Sequence, residues 1–185
     1  MKATLKHIAC IQTGVFAKPI QKGEIVYLQA RHFDENGKLA ATLYPDLNSN
    51  SKIDKHLLKK GDVLFAAKGT KNFATWYENE EMPAVASTSF FVIRLYDNNL
   101  LPGYLTWFLN HPRTQTILKG QARGSSIASI SKAVLSELEI PVPNIKKQEL
   151  ILQLFKLRNK EKKLKQQIEM LRESEIQQIL INAIK

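Results

Sequence analysis

No glycine or proline follows Pro143 in this sequence. Proline breaks a helix and glycine weakens one, so a stretch free of both and rich in Leu, Ile, Lys, Glu and Gln favours one continuous helix. The sequence predicts that helix over about Ile145–Ala183, with Asn144 suited to cap its first turn. Leu150, Leu154, Leu157, Leu164, Ile168 and Leu171 alternate by four and three residues, the spacing of a coiled-coil seam. Lys160, Lys162, Lys163 and Lys165 fall mostly on the outer faces. Glu161 interrupts the seam at a core-type position, where a carboxylate should find a basic partner or lie at a frayed crossing. After Leu171 the phase slips: Ile176, Ile179, Leu180, Ala183 and Ile184 form a second, offset stripe, as expected where a helix passes from one partner to another. At about 1.5 Å per residue the helix is on the order of 55–60 Å long, too long to bury both stripes on one small domain. An intermolecular coiled coil accounts for the pattern better than a helix folded back on its own core.

Before Pro141 the pattern is different. Short apolar runs are punctuated by Gly, Pro, Asn and Asp, the signature of strands and turns. Expected strands are Leu5–Ile11, Ile25–Arg31, Asp62–Ala67, Val85–Leu95 and Leu138–Val142, with a turn at Asn36-Gly37. Leu101–Ala122 reads as helical, and Pro112 should break or kink it into two. The whole is an α+β chain: a mixed β-sheet domain over 1–143, then a long C-terminal coiled-coil helix over 144–185.

Composition bounds the function. The formal net charge is +10, with 27 Lys+Arg against 17 Asp+Glu, a balance that points to a polyanionic partner, nucleic acid before an anionic membrane. One cysteine, Cys10, makes no disulfide framework and suggests a reducing compartment. The first residues lack an apolar signal region, and no run approaches the about 18 apolar residues of a membrane span. A cytoplasmic protein is expected.

Catalytic patterns are missing from the sequence. His7, His32, His56 and His111 are scattered, unlike the clustered ligands of zinc. Gly120 to Ser126 falls one residue short of a phosphate-binding P-loop and lacks its lysine. Pro45-Asp46 is not followed by the acid-x-lysine element of a magnesium nuclease. No glycine-rich cofactor loop with an Asn/Asp-Pro-Pro-aromatic motif is present, and the serines of 125–131 lack a His and acid arrangement. The reading is of a protein that is not an enzyme and holds no cofactor or metal.

The stretch from Gly124 to Leu154 carries a resemblance. Gly124-Ser125-Ser126-Ile127, Ile130-Ser131, a short helix over Lys132–Ser136, a strand over Leu138–Pro143 ending Ile-Pro-Val-Pro, and Gln148 at a helix start together resemble the end of a target-recognition domain in type I restriction–modification specificity subunits. Lys147 stands where that family usually has Glu. Upstream, Gly61 to Gly69 resembles the family's Gly-Asp strand and loop, and Gly23–Asp34 another of its strands. The resemblance implies sequence-specific binding of double-stranded DNA, directing partner methyltransferase and restriction subunits. Methylation with S-adenosylmethionine and ATP/Mg-dependent cleavage would belong to those partners. Full specificity subunits carry two recognition domains and two such helices. One of each here looks like a half-subunit, and the resemblance implies a homodimer through antiparallel helices.

Within that reading, Lys and Arg neutralise phosphates while amides, guanidinium groups and hydroxyls reach base edges. Gln29, Arg31, His32 and Phe33 form one candidate loop; Lys68, Gly69, Thr70, Lys71 and Asn72 a second; Arg123, Ser125, Ser126 and Ser129 a third; Lys18 and Lys22 a fourth. Each also reads as an ordinary solvated turn. Leu150, Leu154, Leu157, Leu164, Ile168, Leu171, Ile176 and Leu180 are the expected dimer and subunit interface. The competing readings are a coiled-coil module that caps or competes with a full specificity subunit without reading DNA, and a stand-alone nuclease.

Overall fold

The computed structural model describes residues 2–34, 37–69, 72–78, 82–121 and 129–184. It divides into two compact units, Met1–Ile145 and Lys146–Lys185.

Residues with the most continuous apolar character form the centre of the first unit. A four-stranded antiparallel sheet has the order β2 (Ala9–Thr13), β7 (Phe90–Leu95), β4 (Val63–Ala66), β5 (Ala74–Trp76). Strand β4 lies between two neighbours and is buried along its whole length. A central strand covered on both faces should read in this way, as an unbroken apolar run rather than an alternation. A parallel pair, β3 (Val26–Leu28) and β6 (Ala84–Ala86), lies between two cores. Successive side chains point to opposite faces of a strand. Accordingly Val26 and Leu28 join a cluster with Leu64, Phe73 and Phe90, while Ile25, Tyr27 and Val85 join one with Leu47 and Ile53.

Two expected strands are interrupted. Leu5–Ile11 is not one strand: β1 (Lys2–Thr4) pairs with β8 (Glu139–Pro141), a single turn α1 (Leu5–Ile8) follows, and only then does β2 enter the larger sheet. The turn carries the chain between the two sheets. It is pinned by the fully buried Leu5 and by Thr4 Oγ1 against His7 Nδ1 at 2.6 Å. Val85–Leu95 is likewise split, into β6 and β7, by the turn Ser87-Thr88-Ser89. Ile25–Arg31 is strand only through Leu28 and then tightens into a 3₁₀ turn over Ala30–His32.

The expected break at Pro112 is present. Helix α2 (Pro102–Asn110) and helix α3 (Pro112–Gly120) each begin on proline, which fits the first helical position, where no N–H is needed. The Asn110 amide at the end of α2 closes the open edge of β5: its Oδ1 accepts from Ala74 N–H at 2.7 Å and its Nδ2 donates to Ala74 O at 2.8 Å. Asn110→Ala would leave that edge unpaired, and we expect a stability loss of about 1–2 kcal/mol, read from the denaturant midpoint. Short helix α4 (Lys132–Ser136) is capped by Ser131, whose hydroxyl accepts from Val134 N–H.

The second unit is α5 (Ile145–Ala183), 39 residues without a break, at the expected bounds. Gln148 is its buried residue. Leu150, Leu154, Leu157, Leu164, Ile168 and Leu171 are 49–70% exposed in this single chain, and Ile176 and Leu180 are exposed as well. The expected partner of Glu161 is Lys165, one turn on, at 2.7 Å. That ammonium holds the carboxyl below its usual range.

Candidate nucleic-acid interface

Backbone hydrogen bonds gather the ends of several strands into one rim. Val15 N–H donates to Ala86 O at 2.8 Å, Ser87 N–H to Leu28 O at 2.8 Å, Ala67 N–H to Ser89 O at 2.9 Å, and Ile130 N–H to Ala67 O at 3.0 Å. Lys68 and Ser129 face each other in an antiparallel bridge. Gln29 and Lys68, which follow these strand ends, and Ser129, which pairs with Lys68, therefore sit along one edge although they are far apart in sequence. One described residue from each of three of the four sequence-derived loops meets the others here. Lys18 and Lys22 do not join them: their loop is bonded to 45–47, through Ile20 N–H to Asp46 O and Gly23 N–H to Pro45 O, where β3 begins rather than where it ends. Thr70, Lys71, Arg123, Ser125 and Ser126 lie outside the described residues, as does Asn36 of the expected turn.

Local sequence explains the shape of each loop. After β3, Arg31 is exposed on the 3₁₀ turn and Gln29 is half-buried. His32 folds back, its Nδ1 accepting from Gln29 N–H at 3.3 Å. The ring of Phe33 stacks on two others, with centroids 5.7 Å from both Phe73 and Phe90, so it anchors the turn to the core. The chain then reverses between Asp34 and Lys38, and Gly37 takes φ +74 in the turn. A Cβ there would lie 2.6 Å from Ala74 O, so glycine is required for both conformation and space. In the second loop Gly69 takes φ +126. Asn72 donates to Ala66 O at 2.9 Å, so its amide nitrogen closes the β4–β5 connection.

His32 is the titrating group of the rim. Burial, and next the charge of Arg31, hold its pKa below the ordinary 6.5, with Asp46 opposing. The ring is therefore neutral near pH 7. The unfolded chain takes up a proton as pH falls through about 6.5, while the folded ring resists it. Stability should be level above pH 7 and fall below about pH 6.5. We expect His32→Gln to flatten that dependence, and ring chemical shifts to place the His32 midpoint below that of a free histidine.

Beneath the rim, the Gly61-Asp62 pair has a structural reason. Gly61 takes φ +89. Asp62 is buried and accepts from Arg94 Nε at 2.7 Å, Arg94 Nη2 at 2.6 Å and Lys59 N–H at 2.8 Å. The ion pair ties β4 to β7 and holds the Arg94 guanidinium above its ordinary range. Sequence reasoning missed Ser87, Thr88, Ser89 and Gly14. Three consecutive hydroxyl residues inside an apolar run were the available signal for the first three. Gly14 carried none, because its need for glycine comes from Ala86 and Ser87 across the fold.

The rim thus offers amide, imidazole, hydroxyl and cationic groups, with no group of three or more His, Cys, Asp or Glu placed to hold a metal among the described residues. No helix among them is long and apolar enough to cross a membrane. The chain is thus an α+β unit whose strand ends gather on one edge, and a second unit that is one long helix. The family model for the type I restriction modification DNA specificity domain matches residues 7–170, and the chain belongs to that family. No curated protein matches the chain. Among solved structures, the S subunit of a type I restriction–modification system from M. genitalium is similar at 18% identity and TM-score 0.58, covering 86% of this chain and 39% of that one. The HsdS subunit from Thermoanaerobacter tengcongensis is similar at 14% identity and TM-score 0.60, covering 87% and 37%. A chain from a structure of type I system complex assembly and conformational transition is similar at 13% identity and TM-score 0.63, covering 87% and 38%. The TM-scores show a shared fold, and this chain spans less than half the length of each.

Proposed function

We propose that this chain reads a short DNA sequence through the rim of its first unit and acts as a specificity subunit, directing methyltransferase and restriction subunits to that site. The observation that supports the reading is the rim itself: backbone bonds hold the chain at Leu28, Ala67 and Ile130, and with it Gln29, Lys68 and Ser129, along one edge. Gln29 and Arg31 suit adenine and guanine edges, and Lys68 suits phosphate. Thr70, Lys71, Arg123, Ser125 and Ser126 belong to the same loops by sequence, and Lys18 and Lys22 extend the basic surface toward the flanking backbone. Phe33 contributes by anchoring its turn, and His32 by presenting a neutral ring.

A net charge of +10 supports binding to a polyanion. The expected result is that log affinity for duplex DNA falls steeply and linearly with log salt, with a slope of about −4 or steeper, reflecting released counterions. A flat dependence would leave the non-reading coiled-coil module as the better account.

The exposed seam on α5 supports pairing with a second copy. Two antiparallel helices would place two recognition units about a two-fold axis and let them read an inverted repeat. Light scattering at micromolar concentration should give the mass of a dimer; a monomer there would contradict the pairing. In this reading S-adenosylmethionine and ATP bind the partner subunits, and the protein works in the cytoplasm.

A further inference from the structure

Phe16 is 81% exposed, more than any other large apolar residue described in the first unit. A single exposed apolar side chain is ordinary on a protein surface, but this one is held rigidly. Val15 and Ala17 on either side pack against the inner core cluster. The Tyr27 hydroxyl brackets Phe16, donating to Val15 O at 2.9 Å and accepting from Ala17 N–H at 3.3 Å. Gly14 N–H donates to Phe90 O at 3.1 Å. The segment therefore turns inward at Val15, outward at Phe16 and inward again at Ala17, which directs the ring away from the core.

Its position is equally specific. The Val15–Ser87 bridge sets Phe16 one residue beyond the turn that joins the loops of the rim. A phenyl ring offers no hydrogen bond, so its contribution to a partner is stacking and apolar contact. The next basic residues along its segment are Lys18 and Lys22, which lie outside the rim and suit the flanking phosphates of a polyanion. In duplex DNA the flat apolar surface beside the phosphates is a base face, reached where an apolar side chain wedges between base steps and partly unstacks them.

We propose that Phe16 is a base-stacking residue of the DNA-reading rim. This rests on the DNA reading above and adds to it a residue that works by stacking instead of by hydrogen bonds. The test uses the full chain and duplexes enriched by it from a random-sequence pool. Phe16→Ala should bind the enriched duplex about tenfold more weakly with the salt slope and the melting temperature unchanged, because no phosphate contact and no core packing is lost. Phe16→Trp should keep near-native affinity, and its extra emission over the native Trp76 and Trp107 should be quenched at saturation with duplex. Binding by Phe16→Ala within about twofold of the native chain, or an unquenched Phe16→Trp, overturns the assignment while leaving the DNA reading intact. Failure of the native chain to enrich any duplex overturns the DNA reading itself.

Discussion

Asp62→Ala should lower the unfolding free energy of the first unit by about 3 kcal/mol, measured by chemical denaturation. Breaking a buried ion pair by removing one partner costs roughly 3–5 kcal/mol. The Asp62 side chain is 2% exposed but Arg94 is 36% exposed, so the orphaned guanidinium can turn toward water and the loss falls at the low end. The Lys59 N–H, which donates to Asp62 Oδ2, would also lose its acceptor. Asp62→Asn keeps a neutral acceptor for that N–H and should lose about half as much. A double-mutant cycle with Arg94→Met separates the pair from the rest, since neighbours in one network do not add. If Asp62→Ala and Arg94→Met were additive, the ion pair would not be what ties β4 to β7.

Gly14→Val should be more damaging still, at about 4 kcal/mol or more. A Cβ at this position would lie 2.1 Å from Ser87 O and 2.4 Å from Ala86 O. Both are backbone atoms in use: Ala86 O accepts from Val15 N–H and Ser87 O accepts from Phe90 N–H. Relief of the overlap must separate the β2 segment from the β6–β7 turn, the junction on which the rim is assembled. The variant should therefore show a lowered denaturant midpoint together with faster hydrogen exchange at the Val15 and Ser87 amides. Native stability would mean that the close approach at Gly14 does not hold the rim together.

These two positions show how far the sequence could be read. The long helix was legible because its evidence is local: an interval without glycine or proline predicts Ile145–Ala183, and α5 has those bounds. Pro112 split α2 from α3 for the same reason, and Ser131 and Lys132–Ser136 formed the capped turn of α4. Most strands were legible as apolar runs but not at their ends, and β5, only Ala74–Trp76, was too short to read. Leu5 is apolar whether it extends a strand or anchors a turn, so the change from β1 to α1 was hidden. Ser87–Ser89 broke one apolar run into two strands of different sheets, a matter of tertiary pairing. For the site, residue type pointed to Gln29, Arg31 and Lys68 as loop residues, whereas their adjacency depends on the bonds among Leu28, Ser87, Ser89, Ala67 and Ile130. Gly14 and Phe16 were invisible for the same reason, since what makes one cramped and the other prominent comes from residues far along the chain.

The most direct measurement of the central claim, that the rim reads sequence, is the ratio of affinities for an enriched duplex and a scrambled duplex of the same composition. It should be determined for the native chain and for Gln29→Ala with Arg31→Ala. Specific sites are bound about 10³-fold or more tightly than non-specific DNA. The native chain should show such a ratio, and the double variant should lose most of it while keeping its affinity for the scrambled duplex to within a few fold, because Lys68 and the other cations remain. A native ratio near one, or a double variant whose ratio is unchanged, would contradict the account.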